Sequence, residues 1–205
     1  DGDELTDGTD PLDSLSPQVL QLLDLNVAGD YVRVPPQDKL ELTTLTLEAW
    51  VKPDVANATG TIIEKTREND GAVNYRLSLD GGYAKIEVGT TTLTANVMPV
   101  LAGKWAHIAA SLDGVTQEVT LSVYTETALG DENMKTVRIS SGALPPPTGR
   151  GYLTIGAAAG GIIGEVDEVR VWNTVRTSDD VANNRLITFP TAPAGLVAYY
   201  RFDDA

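Results

Sequence analysis

The stretch GEVDEVRVWN, residues 164 to 173, sets Glu165 and Asp167 at alternate positions of what reads as a β-strand. Carboxylates at i and i+2 of a strand lie on one face, and two chemistries are open to such a pair. Across a glycosidic bond, one carboxylate can attack while the other protonates the leaving group, a retaining geometry with the two groups about 5 Å apart. Alternatively, one hard cation can neutralise both, drawing six to eight oxygens around itself. Few other residues could carry chemistry. His107, the only histidine, lies in KWAHIAA and alternates with Trp105 and Ala109. It has no second histidine for zinc and no serine–aspartate partners by spacing, so packing is predicted for it. There is no cysteine, which excludes disulfides, Cys-ligated zinc and iron–sulfur clusters. The glycine-rich run GAAAGG, residues 156 to 161, lacks a following Lys-Ser/Thr and is not a phosphate loop.

Candidate ligand-binding residues come from loops, which carry function disproportionately on a sandwich rim. EKTRENDGAVN, residues 64 to 74, gathers Arg67, Asn69, Asp70 and Asn74. Tyr83 and Tyr152 are candidate aromatic platforms if the topology brings them near that loop. Trp50 shares a strand face with Glu48 and Lys52, where it either stacks on a sugar or lies under a loop; the loop is the expectation. Trp172 is expected to anchor a helix.

The net charge of −14, from 29 acidic and 15 basic residues, argues against nucleic acid and anionic membranes as partners. It favours divalent cations, neutral sugars or basic protein surfaces. No run approaches the ~18 apolar residues of a membrane span, so no membrane insertion is expected. The chain begins Asp-Gly-Asp, without an initiator Met or signal peptide, which predicts excision from a longer precursor. Residues 1 to 17, DGDELTDGTDPLDSLSP, carry six acidic residues and no basic one. They are too polar to order themselves and read as a linker unless an ion organises them. Asp1, Asp3 and Asp7 are spaced as in a calcium loop.

The elements that must position these residues follow from period-two alternation. TLTLEAWVKP, GTIIEKT, NYRLSL, AKIEVG, WAHIAASL, VTLSVYTE, KTVRIS, YLTIG, EVDEVRVW and GLVAYYRFD are short, rich in β-branched residues and separated by turn signals such as Asp80-Gly81-Gly82 and Asp113-Gly114. The pattern predicts an all-β protein, an antiparallel two-sheet β-sandwich, with one short helix near the C-terminus in TSDDVANNR, capped by Ser178 with Asp179 and Asp180 in its first turn. Leu45, Leu47, Ala49 and Val51 share a face and are assigned to the core. LPPPTG, residues 144 to 149, is expected as a rigid loop. The expected organisation is an acidic segment over 1–17 and one domain over 18–205.

Five phrases, LDLNVAGDYVRVP, TLTLEAWVKPD, GKWAHIAASLDG, LTIGAAAGGIIGEVDEVRVWNTVRTSDDV and GLVAYYRFDD, resemble in that order the laminin G-like jelly roll of the concanavalin A-like lectin/glucanase superfamily, over residues 22 to 205. The hairpin that often reads Tyr-Val-Asp-Gly in that family is here the longer, acidic SVYTETALGDE, residues 122 to 132. The N-terminal phrase, which keeps Asp1, Asp3, Asp7 and Gly8-Thr9-Asp10-Pro11, resembles the tail of a thrombospondin type 3 calcium-binding repeat. The laminin G-like resemblance implies that Asp167 supplies a structural calcium ligand, with Asp24, Asn26, the Gly29 carbonyl and Asp30 completing the site from the N-terminal strands. The alternative for these acids is a salt bridge from Asp167 or Glu165 to Arg170 or Arg33. Glucanases of the superfamily carry three acidic residues on one strand. Here the same-face series is read as Glu165, Asp167, Val169, Val171, with Glu168 opposite, so the third carboxylate is a valine and no enzyme activity is expected. The resemblance implies a non-catalytic extracellular module, secreted or on the cell surface and serving adhesion or recognition. It would bind carbohydrate or an extracellular protein ligand, use calcium, and sit beside neighbouring domains of the same chain. A structural spacer is the alternative, and a glycoside hydrolase the third reading.

Overall fold

Strands form where the apolar residues alternate, and glycine or aspartate turns separate them. The computed structural model describes residues 22–96, 98–126, 132–140 and 149–203. The acidic segment with Asp1, Asp3 and Asp7, the 17/18 boundary, residues 127–131 and the prolines 145–147 lie outside them. Among the described residues the strands are β1 (Leu23–Leu25), β2 (Tyr31–Val34), β3 (Leu45–Pro53), β4 (Gly60–Thr66), β5 (Val73–Asp80), β6 (Tyr83–Val88) and β7 (Thr91–Thr94), followed by β8 (Ala106–Leu112), β9 (Glu118–Glu126), β10 (Glu132–Ser140), β11 (Leu153–Gly156), β12 (Gly164–Trp172) and β13 (Leu196–Tyr200). One helix, α1 (Ser178–Asn184), precedes β13.

All strand pairs are antiparallel and form two sheets. The seven-stranded sheet runs β1-β12-β3-β8-β9-β10, with β13 also on β12; the six-stranded sheet runs β2-β11-β4-β5-β6-β7. The architecture is the expected sandwich. Leu45, Leu47, Ala49 and Val51 enter the core as predicted, meeting Ile63, Leu77, Ile86 and Ile155 of the other sheet. Alternate burial along β6, with Ala84, Ile86 and Val88 inside, leaves Tyr83, Lys85 and Glu87 on the outer face. The β5–β6 hairpin closes through Gly81 (φ 59°) and Gly82 (φ 85°), between the paired Asp80 and Tyr83. Two successive positive φ angles are what a tight two-residue hairpin needs and what side chains resist.

Two local expectations are corrected. The helix cap is Thr177, not Ser178. Its hydroxyl accepts from the Asp180 N–H while the Asp180 carboxylate accepts from the Thr177 N–H, a reciprocal box that Ser178 is one residue too late to make. The face series of β12 is also different. Glu168 takes φ 49°, and the pairing with β3 slips between Asp167 and Arg170. This β-bulge inserts one residue and reverses the alternation beyond it. Val166, Val169 and Val171 therefore all point into the core, and Val169 does not share a face with Asp167.

Candidate functional site

A sandwich has two outer faces, and among the described residues one is covered and the other is open. The outer face of the seven-stranded sheet is roofed by residues 174–189. Thr46 Oγ1 donates to the Thr174 carbonyl (2.8 Å) and accepts from the Arg176 N–H, while Ser111 donates to the Arg176 carbonyl. Trp50 Nε1 donates to the Arg185 carbonyl (2.9 Å). Trp50 thus lies under a loop, as expected, and offers no stacking surface. Trp172, also fully buried, anchors the segment through Arg176 (4.1 Å from the ring centre) and an edge contact with Phe189.

Beneath that roof sits a buried ionic cluster. Glu48 lies 3.7 Å from Nη1 of Arg170 and 3.7 Å from Nε of Arg176. Arg170 also donates to Glu168 (2.5 Å) and to the carbonyls of Asn184 and Ile187. Burial pushes Glu48 up to about 7, outweighing the two guanidinium groups that pull it down. His107 packs edge-on against Trp50 (5.3 Å between ring centres), and burial holds it neutral. The cluster fixes α1 to the sheet and is closed to ligands.

The bulge lies in the gap where β1 stops pairing with β12, at Val166, and β13 begins, at Val169. Asp167 is 1% exposed there, and its Oδ1 has no hydrogen-bond partner. Burial first, then the nearby Glu168 and Asp203 carboxylates, push its acid up to about 7. The other expected calcium donors are placed differently. Asp24 pairs across from Glu165 and accepts from Asn26 Nδ2 (2.8 Å); Asp30 accepts from the Val27 N–H (3.0 Å). The turn carrying Asn26, Gly29 and Asp30 continues past the Leu25–Gly164 pair, roughly 10 Å along β12 from Asp167. Among the described residues no three acidic or histidine side chains converge on one point. The Asp203 carboxylate that faces Asp167 is itself paired with Arg201. Neither Glu165 nor Asp167 bonds Arg170 or Arg33; Glu165 pairs with Lys52 at 2.8 Å instead.

The 67–72 hairpin stands at one rim. Arg67 pairs with Asp70 (2.8 Å), whose acid is lowered first by the Ala72 N–H and further by Arg67. Asn69 is exposed in the same turn. Asn74 is buried and donates to the Gly149 carbonyl (2.6 Å), which also accepts from the buried Lys65. Tyr152 is beside this rim, with the Arg33 guanidinium 3.5 Å over its ring. Tyr83 is at the far end of the same sheet, about 20 Å away. The rim therefore brings together Arg67, Asn69, Asp70, Asn74 and Tyr152, and excludes Tyr83.

Tyr83 instead shares the uncovered outer face of the six-stranded sheet. One cross-strand row there runs Arg33, Thr154, Glu64, Arg76, Glu87, Thr92, and the next runs Thr61, Ser78, Lys85, Thr94. Arg76 donates to Glu64 and, at 2.6 Å, to Glu87. A shallow depression of about 140 Å³ opens between the rows, lined by Thr61, Arg76, Ser78, Lys85 and Glu87. Its wall is the GAAAGG loop, held by the bond from the Thr61 N–H to the Gly160 carbonyl (2.8 Å). The close approach requires Gly60, since a Cβ there would stand 2.5 Å from the Gly161 backbone. Sequence reasoning aimed at loops missed Arg76, Ser78, Lys85 and Glu87. Their signal was present as the polar half of each alternating strand.

A family model described as the concanavalin A-like lectin/glucanases superfamily, of the laminin G type, matches residues 26–182. The chain belongs to this superfamily. No curated protein matches the sequence. Three solved structures illustrate the members it resembles. A Bacteroides ovatus protein described as carbohydrate binding shares 21% identity (TM-score 0.59), over 88% of this chain and 52% of its own. This superfamily member thus spans about half the length of that protein. The CBM40 module of a Ruminococcus gnavus IT-sialidase, bound to α2,3 sialyllactose, shares 15% identity (TM-score 0.54), over 75% and 95%. The LG1-3 region of the laminin α2 chain shares 13% identity (TM-score 0.53), over 72% and 31%. At these identities the likeness is one of fold.

Proposed function

We propose that this domain is a non-catalytic recognition module that binds carbohydrate on the outer face of its six-stranded sheet. The observation that carries the reading is the contrast between the two outer faces. Among the described residues, one is covered by residues 174–189; the other is open, concentrates hydrogen-bonding groups in two cross-strand rows and holds a depression between them. Polar groups converging in a concave site are what orient a ligand rich in hydroxyls. The acidic strand supports the absence of catalysis. Glu165 is tied to Lys52, Asp167 is buried, and Glu168 is bonded to Arg170 and Tyr199, so this strand presents no free pair of carboxylates to a substrate.

The module works outside the cell as part of a larger protein, as laminin G-like and carbohydrate-binding relatives do. Among the described residues no helix is long and apolar enough to cross a membrane. Calcium is the proposed cofactor, supported by the buried Asp167 carboxylate, whose Oδ1 has no partner, at the gap between β1 and β13, where an ion would neutralise that charge. A second ion on Asp1, Asp3 and Asp7 would stiffen the N-terminal segment as a connector to a preceding domain. The test is binding to an immobilised glycan panel, in calcium and after chelation. Binding supports the module; silence across the panel in both conditions refutes it.

A further inference from the structure

The depression on the six-stranded sheet also indicates what kind of sugar it takes, given the reading of the domain as a carbohydrate-binding module. We propose that it is a subsite for a neutral pyranose, gripped through adjacent ring hydroxyls, and that it rejects the acidic sugars.

Charge decides the class. Two cations, Arg76 and Lys85, border the depression, and three carboxylates, Glu64, Glu87 and Asp80, stand among them. Arg76 is held between Glu64 and Glu87, so its charge is already answered on both sides. An incoming carboxylate would have to displace one of these and would meet the other at close range. Lys85 is within 3.7 Å of both Asp80 and Glu87, so no cation of the site lacks a neighbouring anion. The whole chain, at −14, adds to the repulsion.

Geometry supplies the grip. Lys85 Nζ and Glu87 Oε1 stand 3.7 Å apart, too far to bond each other well. A ligand hydroxyl can accept from the ammonium while its neighbour on the same ring donates to the carboxylate. Such charge-assisted bonds are the strong ones. Ser78, in register with Lys85, and Thr61, in register with Ser78, extend the floor with two more hydroxyls. Tyr83 stands on the same face, two residues from Lys85. The shallow depression suits a single terminal sugar set against the sheet.

The experiment is calorimetric titration of the full chain with neutral oligosaccharides ending in glucose, galactose or mannose, and with 3′-sialyllactose. It is repeated on Lys85→Met, which keeps the apolar stem but loses the donor, and on Ser78→Ala, with melting curves to show that both fold. The expected result is binding of at least one neutral sugar, at least tenfold weaker in Lys85→Met, with no heat from sialyllactose. Preference for sialyllactose overturns the inference while leaving the module intact. Neutral binding unchanged in both folded variants overturns the site alone. No binding of any sugar up to millimolar concentration overturns the inference and the underlying reading together.

Discussion

Replacing Glu48 with glutamine should flatten the pH dependence of stability. Burial pushes Glu48 from its ordinary 4.5 up to about 7, so the folded protein holds this proton more tightly than the unfolded chain does. Its contribution to stability is complete below about pH 4.5 and is lost as pH rises through 7. Between pH 5 and pH 8 the linked loss is about 2.5 kcal/mol for this one group. The charges facing it are Arg170, Arg176 and Asp180, with His107 beside it as a neutral ring. Glutamine keeps the shape and cannot titrate. Asp167 shifts in the same direction but is present in both proteins, so it cancels in the comparison. Urea unfolding at pH 5 and pH 8 measures the effect. Wild type should lose about 2.5 kcal/mol more than Glu48→Gln across this interval. Equal losses in the two proteins would refute the placement of an acid pushed up by burial beneath the helix.

Three further outcomes are expected. Chelation should lower the melting temperature, because an ion bound only by the folded state contributes about 2.7 kcal/mol at a hundredfold excess over its dissociation constant. Asp167→Asn should remove most of the difference, and equal melting with and without chelator contradicts the ion. Laminarin and lichenan should not be hydrolysed; turnover that vanishes in Glu165→Gln would show the acidic strand to be catalytic. Deleting residues 1 to 17 should change unfolding free energy by less than ~0.5 kcal/mol, while calcium protects the intact segment from proteolysis. A large loss on deletion would show that the segment packs on the sandwich.

The sandwich was legible because period-two alternation is a local property of each strand. Leu45, Leu47, Ala49 and Val51 could be assigned to the core without knowing what they would meet. The bulge was not legible, because Glu168 holds a left-handed backbone without being glycine. Part of what supports it is non-local: the Tyr199 hydroxyl of β13 bonds its carboxylate, alongside Arg170 two residues on. One inserted residue moved Val169 and Val171 to the opposite face from the one the alternation gave them. The cap at Thr177 turned on a reciprocal bond with Asp180, which a neighbouring serine mimics in sequence. The open face was visible in part. Arg76 and Ser78, and Lys85 and Glu87, stand two apart in their strands, but only the pairing of β4, β5 and β6 sets them beside one another.

The most direct measurement is an amide chemical-shift titration of the labelled protein with a neutral oligosaccharide that it binds. Carbohydrate recognition on the open face requires the largest shifts at residues 59–61, 76–79 and 85–87, with the roofed face silent. Shifts confined to the 67–74 rim, or to residues 174–189, would contradict it.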